Sequence, residues 1–274
     1  MRKRRSEGTR VDGLPGVRAI MPYLMRGRNE SAVYFEASYD LEESLAWLAR
    51  FNEGREARAH VFDLLLYGMA RTLHAHPKLN RFIAGRRYYQ RDEVSLAFAM
   101  KPRFEEGAAL SVRKLSFPPD ESFASMVDRV SADIVRGRAG ELTRSDREAS
   151  FFMKMPSLLI ELGVRLFRLL DAIGLAPRSM IAPDPMHASA FLANLGSLGL
   201  EAAWHHLYEY GNSPLFIVLG RVEKMPFVAG DDVVARRGVK VRFTYDERVE
   251  DGFAAARALD TLRGYLEHPA DHVH

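Results

Sequence analysis

The chain has 274 residues, 47% of them hydrophobic and 27% charged, which is enough apolar material for a full core and excludes intrinsic disorder and a collagen-like repeat. Cysteine is absent, so disulfides, thiolate metal sites and thiol nucleophiles are excluded, in keeping with a reducing, cytoplasmic setting. The 39 basic and 36 acidic residues leave a formal charge of only +3, which gives no reason to expect nucleic acid as a partner.

Residues 1–12 read as a basic flexible tail carrying Arg2, Lys3, Arg4, Arg5 and Arg10. No apolar run follows it, as a secretory leader would need. Such a tail suits at most a weak membrane-surface contact, about 1 kcal/mol per basic residue near anionic lipid. Residues 13–274 read as one domain. Leu14 to Met25 predicts a short helix and Ala32 to Tyr39 a half-buried strand. Asp40 looks like an N-cap, with Glu43 completing a capping box, for a helix in which Leu41, Leu45, Leu48 and Phe51 share a face. A longer helix spans about His60 to His76 and stops at Pro77. Val94 to Met100 and Ala108 to Leu115 read as strands around a charged turn, Lys101 to Gly107, and Asp120 opens the next helix. Strands at Phe191 to Leu195, Leu215 to Val222 and Val239 to Tyr245 precede a last amphipathic helix, Gly252 to Glu267. Interleaved helices and strands with no repeat period predict an α/β fold, a mixed sheet packed with helices.

A helical insertion at about residues 145–187 contains the apolar stretch from Pro156 to Ala176. It carries Glu161, Arg165, Arg168 and Asp171, and four charges at roughly 2.5 to 3.5 kcal/mol each are too costly for a membrane span. The spacing predicts two pairs along one stripe, Glu161 with Arg165 and Arg168 with Asp171, while the leucines fill the remaining faces. Three readings stay open: a helix buried against the domain or a neighbouring subunit, a lid over an acyl-chain pocket, and a helix in a membrane interface.

The end of the chain, Thr244-Tyr-Asp-Glu-Arg-Val-Glu-Asp-Gly252 followed by Ala254-Ala-Ala-Arg257, resembles the end of the acyltransferase catalytic domain of 2-oxoacid dehydrogenase E2 components. Further blocks run in that family's order: Val17-Arg18-Ala-Ile20, His76-Pro-Lys-Leu-Asn80, and Asn194-Leu-Gly196 ahead of Leu219-Gly220. The resemblance implies a chloramphenicol acetyltransferase-like two-layer sandwich, a homotrimer with sites between subunits, and acyl transfer from a thioester such as acyl-CoA. No covalently bound cofactor is implied; CoA enters as a substrate. The lipoyl-bearing and subunit-binding domains of a whole E2 are not read in this sequence.

Two family positions are changed. The motif histidine that deprotonates the thiol is Glu247 here, and the hydroxyl donor to the oxyanion aligns with Ala193. A thiol near pKa 8.5 facing a carboxylate near 4.3 makes proton transfer uphill by close to 6 kcal/mol, against roughly 3 for histidine, unless burial raises the carboxylate. Losing an oxyanion donor typically costs a factor of about 100 to 1,000. His205 and His206, in Trp204-His205-His206-Leu207-Tyr208, are alternative bases, of which one at most faces a given site. By the resemblance, Asp251 braces the motif loop through Arg18, Gly252 supports the turn into the last helix, and Asn194 and Arg248 lie at the substrate. His74 and His76 read as structural. No metal-ligand spacing, dinucleotide fingerprint, Walker loop or nucleophile elbow is present. The competing reading is a trimeric pseudoenzyme that binds or scaffolds.

Overall fold

A computed structural model describes residues 4–100, 111–139, 143, 147 and 154–273. The expected turn Lys101 to Gly107 and the start of the insertion lie outside the described residues. In chain order the elements are β1 (Gly8–Arg10), α1 (Gly16–Leu24), β2 (Ala32–Asp40), α2 (Glu42–Phe51), α3 (Val61–Ala75), β3 (Arg81–Ala84), β4 (Arg87–Arg91), β5 (Ser95–Met100), β6 (Ser111–Ser116), α4 (Phe123–Arg138), α5 (Ser157–Ile173), α6 (Arg178–Ile181), β7 (Ala190–Asn194), β8 (Leu215–Ala229), β9 (Asp232–Asp246), α7 (Gly252–Glu267) and α8 (Pro269–His272).

Six strands form a mixed sheet in the order β2-β9-β8-β7-β5-β6. The β5–β7 and β7–β8 pairs are parallel and the others antiparallel. Register fixes what each face carries, because paired residues project to the same side. The row Phe35–Phe243–Ile217–Leu192–Phe98 faces the helices. One residue along, Tyr34–Thr244–Phe216–Phe191–Ala97 faces the other way, where Phe191, Phe216, Ala202 and Leu207 form a second, smaller core. Helix α3 is buried almost all round: Leu64, Leu65, Leu66 and Leu73 are within 1% of full burial, the signature of a central helix rather than a surface one. At roughly 1.5 to 3 kcal/mol per fully buried aliphatic side chain, this helix anchors the main core.

Three expectations change. The N-terminal segment is not a free tail: Gly8–Arg10 pairs with β4 in a three-stranded sheet β1-β4-β3, and Arg5 is buried, because its guanidinium meets Asp171 and Glu7 and lies over the Tyr89 ring. Asp40 ends β2 instead of capping α2; its carboxylate accepts from Glu42 N, and Glu43 reaches His268 rather than closing a capping box. The pair Arg168–Asp171 does not form, since Asp171 is held by Arg5. The Glu161–Arg165 pair does form, at 2.5 Å.

Helix α5 stands largely outside the core. Phe167 is its one buried residue among those described, packing on His187 and Tyr210, while Leu158 is 74% exposed and Leu162, Leu166 and Leu169 are exposed with it. No described helix is long and apolar enough to cross a membrane.

Candidate active site

The motif turn after β9 is fastened at almost every backbone position. Glu247 N donates to Ser31 O at 3.0 Å, Val249 N to Asp246 O at 3.0 Å, and Arg18 donates to the carbonyls of Glu247 and Arg248 at 2.9 and 3.2 Å. The Tyr245 hydroxyl accepts from Glu250 N at 2.9 Å and donates to Glu250 O, spanning the turn; burial holds that phenol in its neutral form, well above its usual range. Arg248 is buried and meets Asp246 through two nitrogens, at 2.8 and 2.7 Å, with a further bond to Met25 O at 2.9 Å. Its guanidinium therefore holds the turn to the segment after α1.

Arg18 does bridge toward Asp251, at 3.9 Å, but its nearer carboxylate is Glu250 at 3.4 Å, which Arg81 also approaches at 3.5 Å. Asp251 has a second task. Its Oδ1 accepts from Ala254 N at 2.9 Å and caps α7, of which Gly252 is the first residue. Amid this scaffold the Glu247 carboxylate is half-buried and makes no hydrogen bond or ion pair with the described residues. The turn is thus held by its backbone and both flanking side chains, and among the described residues Glu247 is its one unengaged acidic side chain.

The histidine pair lies against the sheet face opposite the helices, beside the motif strand, where the Thr244 hydroxyl donates to His205 O. His205 stacks on Phe216, centroids 3.7 Å apart and rings nearly parallel, and His206 stacks on His205 at 4.8 Å. Each Nδ1 meets the next residue's carbonyl, at 2.7 and 2.9 Å. Burial lowers the His205 pKa from its usual value, so this ring is neutral near pH 7. With Tyr34 and Trp204 the two rings line an open groove of about 380 Å3, and Arg242 sits over the Trp204 ring. Asn194 forms a third group: its Oδ1 accepts from Ser197 N at 3.1 Å. The motif glycines explain themselves there, since a Cβ on Gly196 would stand 2.3 Å from Gly220 O. His74 and His76 bond Phe117 O and Thr261 Oγ1, each at 2.8 Å.

The sequence reading missed a buried polar cluster beneath α5. His187 lies with Nδ1 3.0 Å from Asp184 and Nε2 3.9 Å from Asp171. Burial works against its charge, but the two carboxylates outweigh burial and hold the imidazole above its usual range. Asp171 and Asp184 are held below theirs, despite burial, by His187 and, for Asp171, by Arg5. Arg91 and Lys114 reach His187 O from the neighbouring strands, and burial pushes the Lys114 amine down to about 8. An imidazole raised in the folded state contributes fully below its unfolded value of about 6.5, and that contribution is lost as pH rises through the folded value. The carboxylates contribute above about 3.9 and lose it as pH falls through their folded values, so the cluster is strongest between about pH 4 and 6.5. The stability advantage of wild type over His187→Gln should therefore shrink as pH is raised from about 6 to 9. Urea unfolding of both proteins across that range checks it, with Lys114 common to both; a flat difference would refute the clasp.

Residues 171–273 match the family model of 2-oxoacid dehydrogenases acyltransferase (catalytic domain). A lipoamide acyltransferase component of the branched-chain alpha-keto acid dehydrogenase complex of Pseudomonas aeruginosa is 38% identical over 61 residues, which span 22% of this chain and 14% of that protein. A probable dihydrolipoamide acetyltransferase of Listeria monocytogenes superposes with TM-score 0.64 at 14% identity, covering 97% of this chain and 99% of that one. The fold is that of the E2 acyltransferase cores. A dihydrolipoamide acetyltransferase of Azotobacter vinelandii (TM-score 0.63, 17% identity, 96% and 94% covered) and a chloramphenicol acetyltransferase (TM-score 0.54, 12% identity, 95% and 100% covered) share it. The chain thus resembles the E2 acyltransferase catalytic domain both in its C-terminal sequence and in its full architecture. Within that acyltransferase-core fold, the histidine segment is tied to the motif strand by the Thr244 hydroxyl, which donates to His205 O.

Proposed function

We propose that the protein is an E2-like acyltransferase whose proton acceptor is the carboxylate of Glu247, acting on an acyl thioester of the acyl-CoA type. The observation that carries this reading is the unengaged Glu247 carboxylate in a turn whose other groups are all committed to holding it. The acceptor thiol would give its proton to that carboxylate and attack the carbonyl of the acyl-CoA; the tetrahedral intermediate would then expel the CoA thiolate, which takes the proton from Glu247. With Ala193 in the hydroxyl position, the oxyanion must be met by another donor, and a partner subunit is the natural source in a trimer with sites between copies. The open groove of Tyr34, Trp204, His205 and His206 supports a contact surface on this sheet face.

The absence of a hydroxyl at Ala193 favours one rival, a trimeric pseudoenzyme that binds or scaffolds. Ligand-induced thermal stabilisation and turnover separate them. An acyl-CoA at 100 times its dissociation constant should add about 2.7 kcal/mol of stability, and transfer of the acyl group to dihydrolipoamide should be detectable by chromatography as S-acyl-dihydrolipoamide with an equal amount of free CoA. Stabilisation without transfer selects the pseudoenzyme; no stabilisation by CoA or by acyl-CoAs of any chain length removes the thioester reading.

A further inference from the structure

A cleft of about 240 Å3 opens between the β3–β4 turn, the segment after α1 and the flank of α5. Arg26, Arg28, Arg86, Arg168 and Arg248 line it, against two carboxylates, Asp171 and Glu209. Both carboxylates are engaged: Asp171 holds Arg5, and Glu209 accepts from Asn29 N and Nδ2 at 2.9 and 3.2 Å. Two of the arginines form a buried wall. Arg28 donates to the carbonyls of Glu209 and Gly211 at 3.0 and 2.5 Å, and Arg248 is held by Asp246.

The other three differ in kind. The guanidinium groups of Arg26, Arg86 and Arg168 make no hydrogen bond or ion pair with the described residues, although they come from three separate elements. Arg86 lies over the Tyr23 ring at 5.6 Å. It also has φ 61°, beside Gly85 at 55°, in the two-residue turn joining Ala84 to Arg87. Asparagine or glycine is the usual residue there, and another L-residue costs about 1 to 2 kcal/mol. Among the described residues no carboxylate pairs with these guanidiniums to offset that cost or the mutual repulsion of three cations at one opening, and Arg86 has only the Tyr23 ring.

An anion would offset both. Guanidinium forks match the paired oxygens of phosphate, and three forks from different directions suit a group with several charged oxygens better than a single carboxylate. We propose that this cleft is a phosphate-binding site for a phosphate monoester or a diphosphate. The phosphate belongs either to a soluble molecule or to a phospholipid headgroup, because Arg168 sits on the same helix as the exposed Leu158, Leu162 and Leu169. The site stands independently of the role given to Glu247.

Calorimetric titration with inorganic pyrophosphate at fixed ionic strength, and co-sedimentation with phosphatidylcholine vesicles doped with phosphatidate, test it. The Arg86→Gln, Arg168→Gln double variant should bind pyrophosphate or the doped vesicles at least about tenfold more weakly, the loss expected for charge-assisted contacts. Its circular dichroism and melting should match wild type, since neither guanidinium holds the fold. Arg165→Gln, whose partner is Glu161 on the exposed side of α5, should bind like wild type. If the source is a lipid, Leu162→Gln with Leu169→Gln loses vesicle binding and keeps pyrophosphate; if it is soluble, wild type binds pyrophosphate and does not sediment with vesicles. Wild type that takes neither probe, or a double variant that binds as tightly as wild type, overturns the proposal.

Discussion

Asp246→Ala should lower the unfolding free energy by about 3 to 5 kcal/mol, read as a large drop in the urea midpoint. Asp246 is buried, 1% exposed, and is the carboxylate that meets the buried Arg248 through two nitrogens. Its charge also supports Arg28, whose pKa is already lowered by burial and further lowered by Arg248. Removing it leaves two neighbouring guanidiniums in a poorly solvated site with only backbone carbonyls and the weaker pull of Glu209 in place of their main carboxylate, which is the costly way to break a buried pair. Replacing both members together, Asp246→Leu with Arg248→Met, should recover most of the loss, because an apolar pair of similar bulk carries no charge to desolvate. A single-variant loss below about 1 kcal/mol would show that the pair does not hold the turn.

Glu247→Gln, one residue further on, should behave in the opposite way. Its carboxylate bonds nothing among the described residues, so stability should change by no more than about 0.5 kcal/mol. On the proposed mechanism the amide cannot accept the thiol proton, and kcat should fall by about 10² to 10⁴ with little change in the affinity for acyl-CoA. His206→Ala and His205→Ala should leave turnover largely intact. If instead a histidine variant loses turnover while Glu247→Gln keeps it, the base is the imidazole in the groove. Full activity in all three variants would remove both assignments.

The fold was legible where burial imposes a period. Helices α2, α3 and α7 and the inner halves of β8 and β9 lie against the core, and their alternation or helical spacing can be read directly. The outer halves of β8 and β9 were not legible. Beyond Val222 the hairpin carries Lys224, Arg236 and Arg237, leaves Val228 and Val233 exposed, and turns at Gly230, so neither face supplies a hydrophobic period. β1, β3 and β4 were missed for a related reason: short strands whose core is only Phe82, Ala84 and Tyr89 give too few positions for a pattern.

The candidate site divides in the same way. Glu247 and Asp251 stand in one contiguous motif, so their neighbourhood could be read from spacing alone. What Arg248 does could not, because its partners at Asp246 and Met25 are set by the fold. The arginine cleft gathers residues from positions 26 to 248, and no linear spacing announces it. Asp171 was assigned to Arg168 by helical proximity. Tertiary competition from the buried Arg5 prevails because a desolvated charge gains more from a partner than an exposed one does.

The chain has two tryptophans, and the fold gives them different jobs as optical reporters. Trp47 packs with Phe51 and Phe123 against the main core, so its emission should shift when the protein unfolds. Trp204 is 47% exposed beside Tyr34 and beneath Arg242, so its quenching by acrylamide should respond when something covers that sheet face. Covering of that sheet face and global denaturation can therefore be followed in one cuvette, without a label, by assigning each spectral change to its own indole.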